Sequence, residues 1–167
     1  VQGICNYNCI SCSVNKPSYS GAKTFQNEQI TSTIVNRIHQ ALQDGVAVRN
    51  VDIAGNGEPT LHPDFKRHMD IFGTLRNVSH IQQNPLPIVS VVTNGTNLDK
   101  EEGLDALERN SIAVRISFPT VNQNHYAKIM TPHNEELGKQ QYHNVCSSID
   151  LVMERVAKGK IPSLTFH

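Results

Sequence analysis

Much that would place a chain of 167 residues in a ready class is missing from this one. No apolar run approaches the roughly 20 residues that a helix needs to cross a bilayer, and the start at Val1 has neither a basic leader nor a signal-type apolar stretch. These absences predict a soluble, cytoplasmic protein with no membrane partner. Neither sign of charge dominates: Lys and Arg together number 15, as do Asp and Glu. There is thus no long-range field to draw in a nucleic acid backbone, which disfavours a nucleic acid partner and favours a peptide or small-molecule substrate. Internal repeats and low-complexity segments are absent. Cysteine is scarce, four residues, and three of them lie between Cys5 and Cys12, which is no disulfide frame. Such clustering suits a reducing compartment. The lack of an initiator Met and the entry four residues before Cys5 lead us to expect a single domain, residues 1–167, cut from a longer protein.

What is present begins with Cys5-Asn6-Tyr7-Asn8-Cys9-Ile10-Ser11-Cys12, a C-x3-C-x2-C run. Three thiolates this close can cap three corners of an iron-sulfur cube and leave the fourth iron without a protein ligand. Clusters used only for electron transfer take four cysteines, whereas an open metal position lets a substrate or cofactor bind directly, as at catalytic zinc. Taken alone, the spacing also suits a structural zinc loop completed by a histidine. Cys146, set beside a core position on a predicted helix, reads as packing. His62, His125, His133 and His143 read as surface or capping residues.

Hydrophobic periodicity gives a βα alternation. Gln2 to Ile4 reads as the tail of a first strand. Asn27 caps a first helix with Ile30, Ile34, Ile38, Ala41 and Leu42 on one stripe, stopped by Gly45. Asn50 to Ala54 is a second strand, and Phe65, Met69 and Phe72 line the helix after Pro63. Ile88 to Val92 is a third strand, followed by a helix opening on Asp99-x-x-Glu102 and carrying Leu104 and Leu107. Ile112 to Phe118 is a fourth strand. A long loop comes next, then a helix on Tyr142, Val145, Ile149, Val152 and Val156 that stops at Gly159, and Ile161 to Phe166 is a fifth strand. The alternation implies a parallel sheet. Five strands are too few for a closed eight-stranded barrel, so an open partial (β/α) barrel is expected, with ligands at the carboxyl ends of its strands. Side-chain alternation puts Arg115 and Ser117 on the inner face and Val114, Ile116 and Phe118 on the outer one.

Four motifs fall at those carboxyl ends, in order: the cysteine run, Gly55-Asn56-Gly57-Glu58-Pro59, Thr93-Asn94-Gly95 and Arg115-Ile116-Ser117. The set resembles the radical S-adenosylmethionine (radical SAM) family, whose signature is C-x3-C-x2-C after the first strand and whose Gly-Gly-Glu-Pro motif the second run is similar to. The resemblance implies an enzyme, an oxidoreductase built on a six-unit partial barrel whose sixth strand would lie beyond His167. It implies a [4Fe-4S] cluster on Cys5, Cys9 and Cys12 and S-adenosylmethionine on the open iron, reductively cleaved to a 5'-deoxyadenosyl radical that takes hydrogen from a substrate. A reductant such as flavodoxin or ferredoxin would supply the electron. The same resemblance gives the methionine ammonium to backbone carbonyls of Asn56, Gly57 and Glu58. Thr93, Asn94 and Ser117 become candidates for the ribose or carboxylate, and Arg115 for balancing the carboxylate charge. No side chain is assigned as a catalytic group. Two positions depart from the family pattern: Ser11 stands where an aromatic residue is common, leaving adenine to Tyr7 or Ile10, and Asn56 replaces a glycine. A cluster without S-adenosylmethionine cleavage would instead mean an electron-transfer or sensing module, and tetrahedral zinc a structural domain.

Overall fold

A computed structural model describes residues 5–7, 9, 10, 12, 28–55, 57–76, 86–131 and 133–167. Four parallel strands, β1 (Asn50–Ile53), β2 (Ile88–Thr93), β3 (Ala113–Ile116) and β4 (Leu164–Phe166), pair in sequence order. Among the described residues the sheet does not close, so the architecture is an open partial (β/α) barrel. These strands are the second to fifth expected from sequence; the predicted first strand and the Asn27 cap lie outside the described residues. Pairing continues past the end of β3, where Ser117 N–H donates to Thr93 C=O at 2.9 Å and Phe118 N–H to His167 C=O at 3.0 Å. β4 starts later than Ile161 because Pro162 has no N–H to give a ladder.

Helix α1 (Glu28–Gln43) precedes the sheet, while α2 (Phe65–Gly73), α3 (Glu101–Arg109), and the pair α4 (Gln123–Met130) and α5 (Glu135–Ala157) lie in the strand connections. Alternation decides which sheet face is covered: Val89, Val91, Val114 and Ile116 are buried, while Asp52, Arg115 and Thr165 retain solvent on the other face. Leu98, Leu104, Leu107, Ile112, Val145, Val152 and Ile161 complete the core. Each such side chain contributes about 1.5–3 kcal/mol when fully buried.

Three expectations are corrected. The inward stripe of α1 runs through Thr31 and Val35, with Ile30 50% and Ile34 40% exposed. The helix is rolled by one residue because Thr31 Oγ1 meets His68 Nδ1 of α2 at 2.7 Å. The Asp99-x-x-Glu102 capping box does not form: α3 starts at Glu101, its N-cap is Lys100, and Glu102 pairs with Lys66 of α2. The long loop after Phe118 contains α4, whose N-cap Asn122 accepts from His125 N–H at 3.0 Å. Gly45 and Gly159 do stop α1 and α5. Each has a positive φ, 82° and 68°, and each closes the paired 5→2 and 6→1 backbone bonds that satisfy the last carbonyls.

Candidate cofactor site

The site is built at the carboxyl ends of the strands, where one glutamate organises three segments. Glu58 follows the β1 turn and is 2% exposed. Its Oε1 accepts from Thr60 N–H at 3.1 Å, from the Thr60 hydroxyl at 2.7 Å and from the Thr93 hydroxyl at 2.5 Å, while Oε2 accepts from Asn94 N–H at 2.7 Å. Burial pushes its carboxyl above the usual range, and those donors only partly hold it down. The Glu58 carbonyl accepts from Leu61 N–H at 3.1 Å, closing the short 3-10 turn Pro59–Leu61. Gly57 is half-buried beside it, and Asn56 lies outside the described residues.

Thr93 and Asn94 spend their side chains on the protein itself. The Thr93 hydroxyl accepts from Gly95 N–H at 3.0 Å while donating to Glu58. Asn94 Nδ2 donates to Asn6 Oδ1 at 2.8 Å, Asn6 Nδ2 donates to Thr96 Oγ1 at 2.7 Å, and Thr96 Oγ1 donates to Asn94 Oδ1 at 2.8 Å. The three side chains close a ring in which each donates once and accepts once. Asn6 is the residue after Cys5, so the ring fastens the cysteine loop to the end of β2.

The loop has further anchors on α4. Tyr7 is 4% exposed, and its hydroxyl lies 2.8 Å from that of Tyr126, with the rings edge to face at 6.2 Å. Burial first, and the neighbouring hydroxyl for Tyr7, raise both phenols above their ordinary value. Ile10 N–H donates to Ile129 C=O at 2.9 Å, and the Cys9 thiol reaches the Met130 sulfur at 3.6 Å. Of the two residues considered for adenine, Tyr7 is therefore turned into the core, while Ile10 is 70% exposed.

Cys5, Cys9 and Cys12 form no disulfide among the described residues; Cys5 and Cys12 are exposed and Cys9 is half-buried. Tyr7 N–H donates to Cys5 Sγ at 3.4 Å, the kind of bond that tunes a cluster thiolate. A set of soft sulfur donors suits iron-sulfur or zinc. A single tetrahedral zinc with Zn–S near 2.3 Å would bring its sulfurs to roughly 3.8 Å of one another. Among the described residues, the group whose ligand atoms all lie within 4.8 Å of one another is His62, Asp64 and His68, and the three thiols do not form such a group. A cluster would meet each thiolate at a different iron. In the histidine group both Nδ1 atoms are engaged, His62 by Asp64 N–H at 3.0 Å and His68 by Thr31. Both rings are buried, with centroids 4.5 Å apart, and His62 takes the capping role expected of it as C-cap of the Pro59–Leu61 turn.

Arg115 and Ser117 share the open face as expected, but not with the turn residues. Arg115 Nη1 pairs with Asp52 Oδ2 at 2.6 Å, and the Ser90 hydroxyl donates to Asp52 Oδ1. Ser90 and Arg115 hold the Asp52 carboxyl below the usual range. Ser117 Oγ lies 3.0 Å from His167 Nε2. Sequence reasoning missed Asn6, Thr96, Asp52, Ser90 and Tyr126. Strand parity with Arg115 was a usable signal for Asp52; Asn6 carried only its turn preference.

The family model described as the Radical SAM superfamily matches residues 1–146. Over 99 residues, 59% of the chain, the sequence is 31% identical to a protein named GTPase Obg from Brachyspira hyodysenteriae, and the matched stretch spans 13% of that protein.

Proposed function

Since this chain belongs to the radical SAM superfamily, we propose that it forms the catalytic core of a radical SAM enzyme, with Cys5, Cys9 and Cys12 holding a [4Fe-4S] cluster and S-adenosylmethionine as its second cofactor. The observation that carries the reading is the convergence of the cysteine loop, the Gly57-Glu58-Pro59 turn and the Thr93-Asn94 turn through one bonded network. When bound, the cluster supplies one electron to the sulfonium of S-adenosylmethionine, whose cleavage gives the hydrogen-abstracting radical.

The chain's own contribution is position. Each cysteine gives up its proton to become a ligand, and the anchored loop presents three sulfurs while leaving one metal corner for the cofactor. At Gly57 the lack of a Cβ allows a ligand ammonium close to the backbone carbonyl. The Glu58 carbonyl is already engaged by Leu61 N–H, which favours Gly57 over Glu58 as the acceptor. Arg115 and Ser117 stand on the open face, where Arg115 balances a carboxylate if it exchanges Asp52 for the ligand, and Thr93 and Asn94 act through the turn they build.

A peptide or small-molecule substrate is favoured over a nucleic acid, because the balanced charge gives no long-range attraction to a polyanion. The electron donor is a small reductant protein of the flavodoxin or ferredoxin kind. The likeness to GTPase Obg does not redirect this reading, since these residues contain no G-x4-G-K-[S/T] run for a nucleotide phosphate. Anaerobic reconstitution with iron and sulfide, followed by dithionite and S-adenosylmethionine, tests the proposal. Iron and sulfide uptake with release of 5'-deoxyadenosine supports it. Uptake without that product leaves an electron-transfer or sensing module, and tetrahedral zinc in place of iron leaves a structural domain.

A further inference from the structure

We propose that Asn94 and Tyr126 are positioning residues that preset the cysteine loop for its metal before any metal arrives. The inference rests on the cluster-binding reading above and adds how the site is made ready. Between Cys5 and Cys9 the chain has three residues, and two adjacent ones are fastened in different directions. Asn6 enters the closed ring with Asn94 and Thr96 at the end of β2, and Tyr7 meets the Tyr126 hydroxyl of α4. One residue past Cys9, Ile10 N–H is held by Ile129 C=O.

The anchors thus fall on Asn6, Tyr7 and Ile10, beside the cysteines, and come from two separate elements. A spacer pinned at one point can still swing; pinned at points on a strand end and on a helix, it fixes where the flanking sulfurs sit. The ring is itself backed by Glu58, which holds Asn94 N–H and the Thr93 hydroxyl, so its geometry is set by buried groups. A loop ordered in advance gives up less freedom on binding and therefore releases its ligand more slowly.

The test has two readouts on the full 167-residue chain. In metal-free protein, amide hydrogen exchange of the loop peptide is compared in wild type, Asn94→Ala and the double variant Tyr7→Phe/Tyr126→Phe. The double variant removes both hydroxyls together, so neither is left buried without the other and the fold is retained. After anaerobic loading, iron release to a chelator is timed in the same proteins. Exchange in the loop and iron release are each expected to rise about tenfold, while exchange in β2 and β3 peptides stays at wild-type rates. Asn6→Asp keeps the acceptor for Asn94 Nδ2 and is expected to recover part of what Asn6→Ala loses. Wild-type exchange rates in the variants' loop overturn the proposal, as does equal iron release, or an Asn6→Asp no better than Asn6→Ala. If wild type takes up no iron at all, the cluster reading fails, and the metal-free exchange comparison still decides whether these residues fix the loop.

Discussion

Gly138→Ala should destabilise the protein although it replaces a helical glycine by the best helix former. In an open helix that exchange gains about 1 kcal/mol. Gly138, however, lies in α5 where that helix crosses α4, and a Cβ there would meet Thr131 Oγ1 at 2.2 Å and the Cα and Cβ of Ala127 at 2.7 Å. Thr131 cannot simply turn away, because it is 4% exposed and its hydroxyl donates to Ala127 C=O at 3.1 Å. Overpacking of a close contact costs about 1–3 kcal/mol, and this case lies at or above the upper end because a backbone carbon is among the atoms struck. The net loss is about 2 kcal/mol, equivalent to a midpoint lower by about 4–8 °C for a chain of this size. Gly103→Ala is the matched control: it also sits in a helix, α3, but the nearest atom a Cβ would meet is the Asn97 carbonyl oxygen at 3.9 Å. It should raise the midpoint by about 2–4 °C. Thermal unfolding of both variants followed by circular dichroism reads the two signs. If Gly138→Ala is as stable as wild type, the close approach of α4 and α5 is not what requires glycine.

Cys9→Ala should abolish iron binding while Cys146→Ala leaves iron content unchanged; equal loss in both would make Cys146 a fourth ligand. Glu58 gives a pH test. Burial raises its folded pKa above the unfolded value, so between the two the native chain holds a proton that the unfolded chain has released, and stability falls as pH rises through that window. Glu58→Gln has no proton to release, so its stability should not show that fall, and parallel urea midpoints for the two proteins across the window would refute the assignment. At acid pH the sign reverses for Asp52 and Asp70, held low respectively by Ser90 with Arg115 and, against burial, by Arg109 with Asn110. Their stabilisation is present above the unfolded carboxyl value and lost as pH falls through the lower folded one, and added salt should shrink the part due to exposed cations. A stability curve flat through the acid range would count against these pairs.

The βα order was legible because strands and helices have different periods, and β1 to β4 appear where apolar runs end in turn residues. The partners of polar residues were not. Ile30, Ile34 and Ile38 have the spacing of a buried stripe, yet of the three Ile38 packs against the core, and the Thr31 to His68 bond leaves Ile30 and Ile34 exposed. Asp99 and Glu102 have the spacing of a capping box, but the second carboxylate finds Lys66 on a neighbouring helix, which local reading cannot see. Helix α4 was hidden for a related reason: at eight residues it has too few turns to show a period, and its stability comes from packing on α5.

The same division runs through the site. The three cysteines stood out because their spacing suits ligands of one metal group, and Glu58 because it sits in a turn motif. What Glu58 does was not, since all four of its bonds go to Thr60, Thr93 and Asn94, and the last two are 35 or more positions along the chain. A buried carboxylate serving four donors is costly to dismantle, so the turns it joins cannot shift independently. Asn94 then passes that rigidity to Asn6, and Asn6 to the loop. Thr93 and Asn94, candidates for ligand contacts by their position, bond through their side chains to Glu58, Gly95, Asn6 and Thr96. They hold the thiol-bearing segment against the sheet.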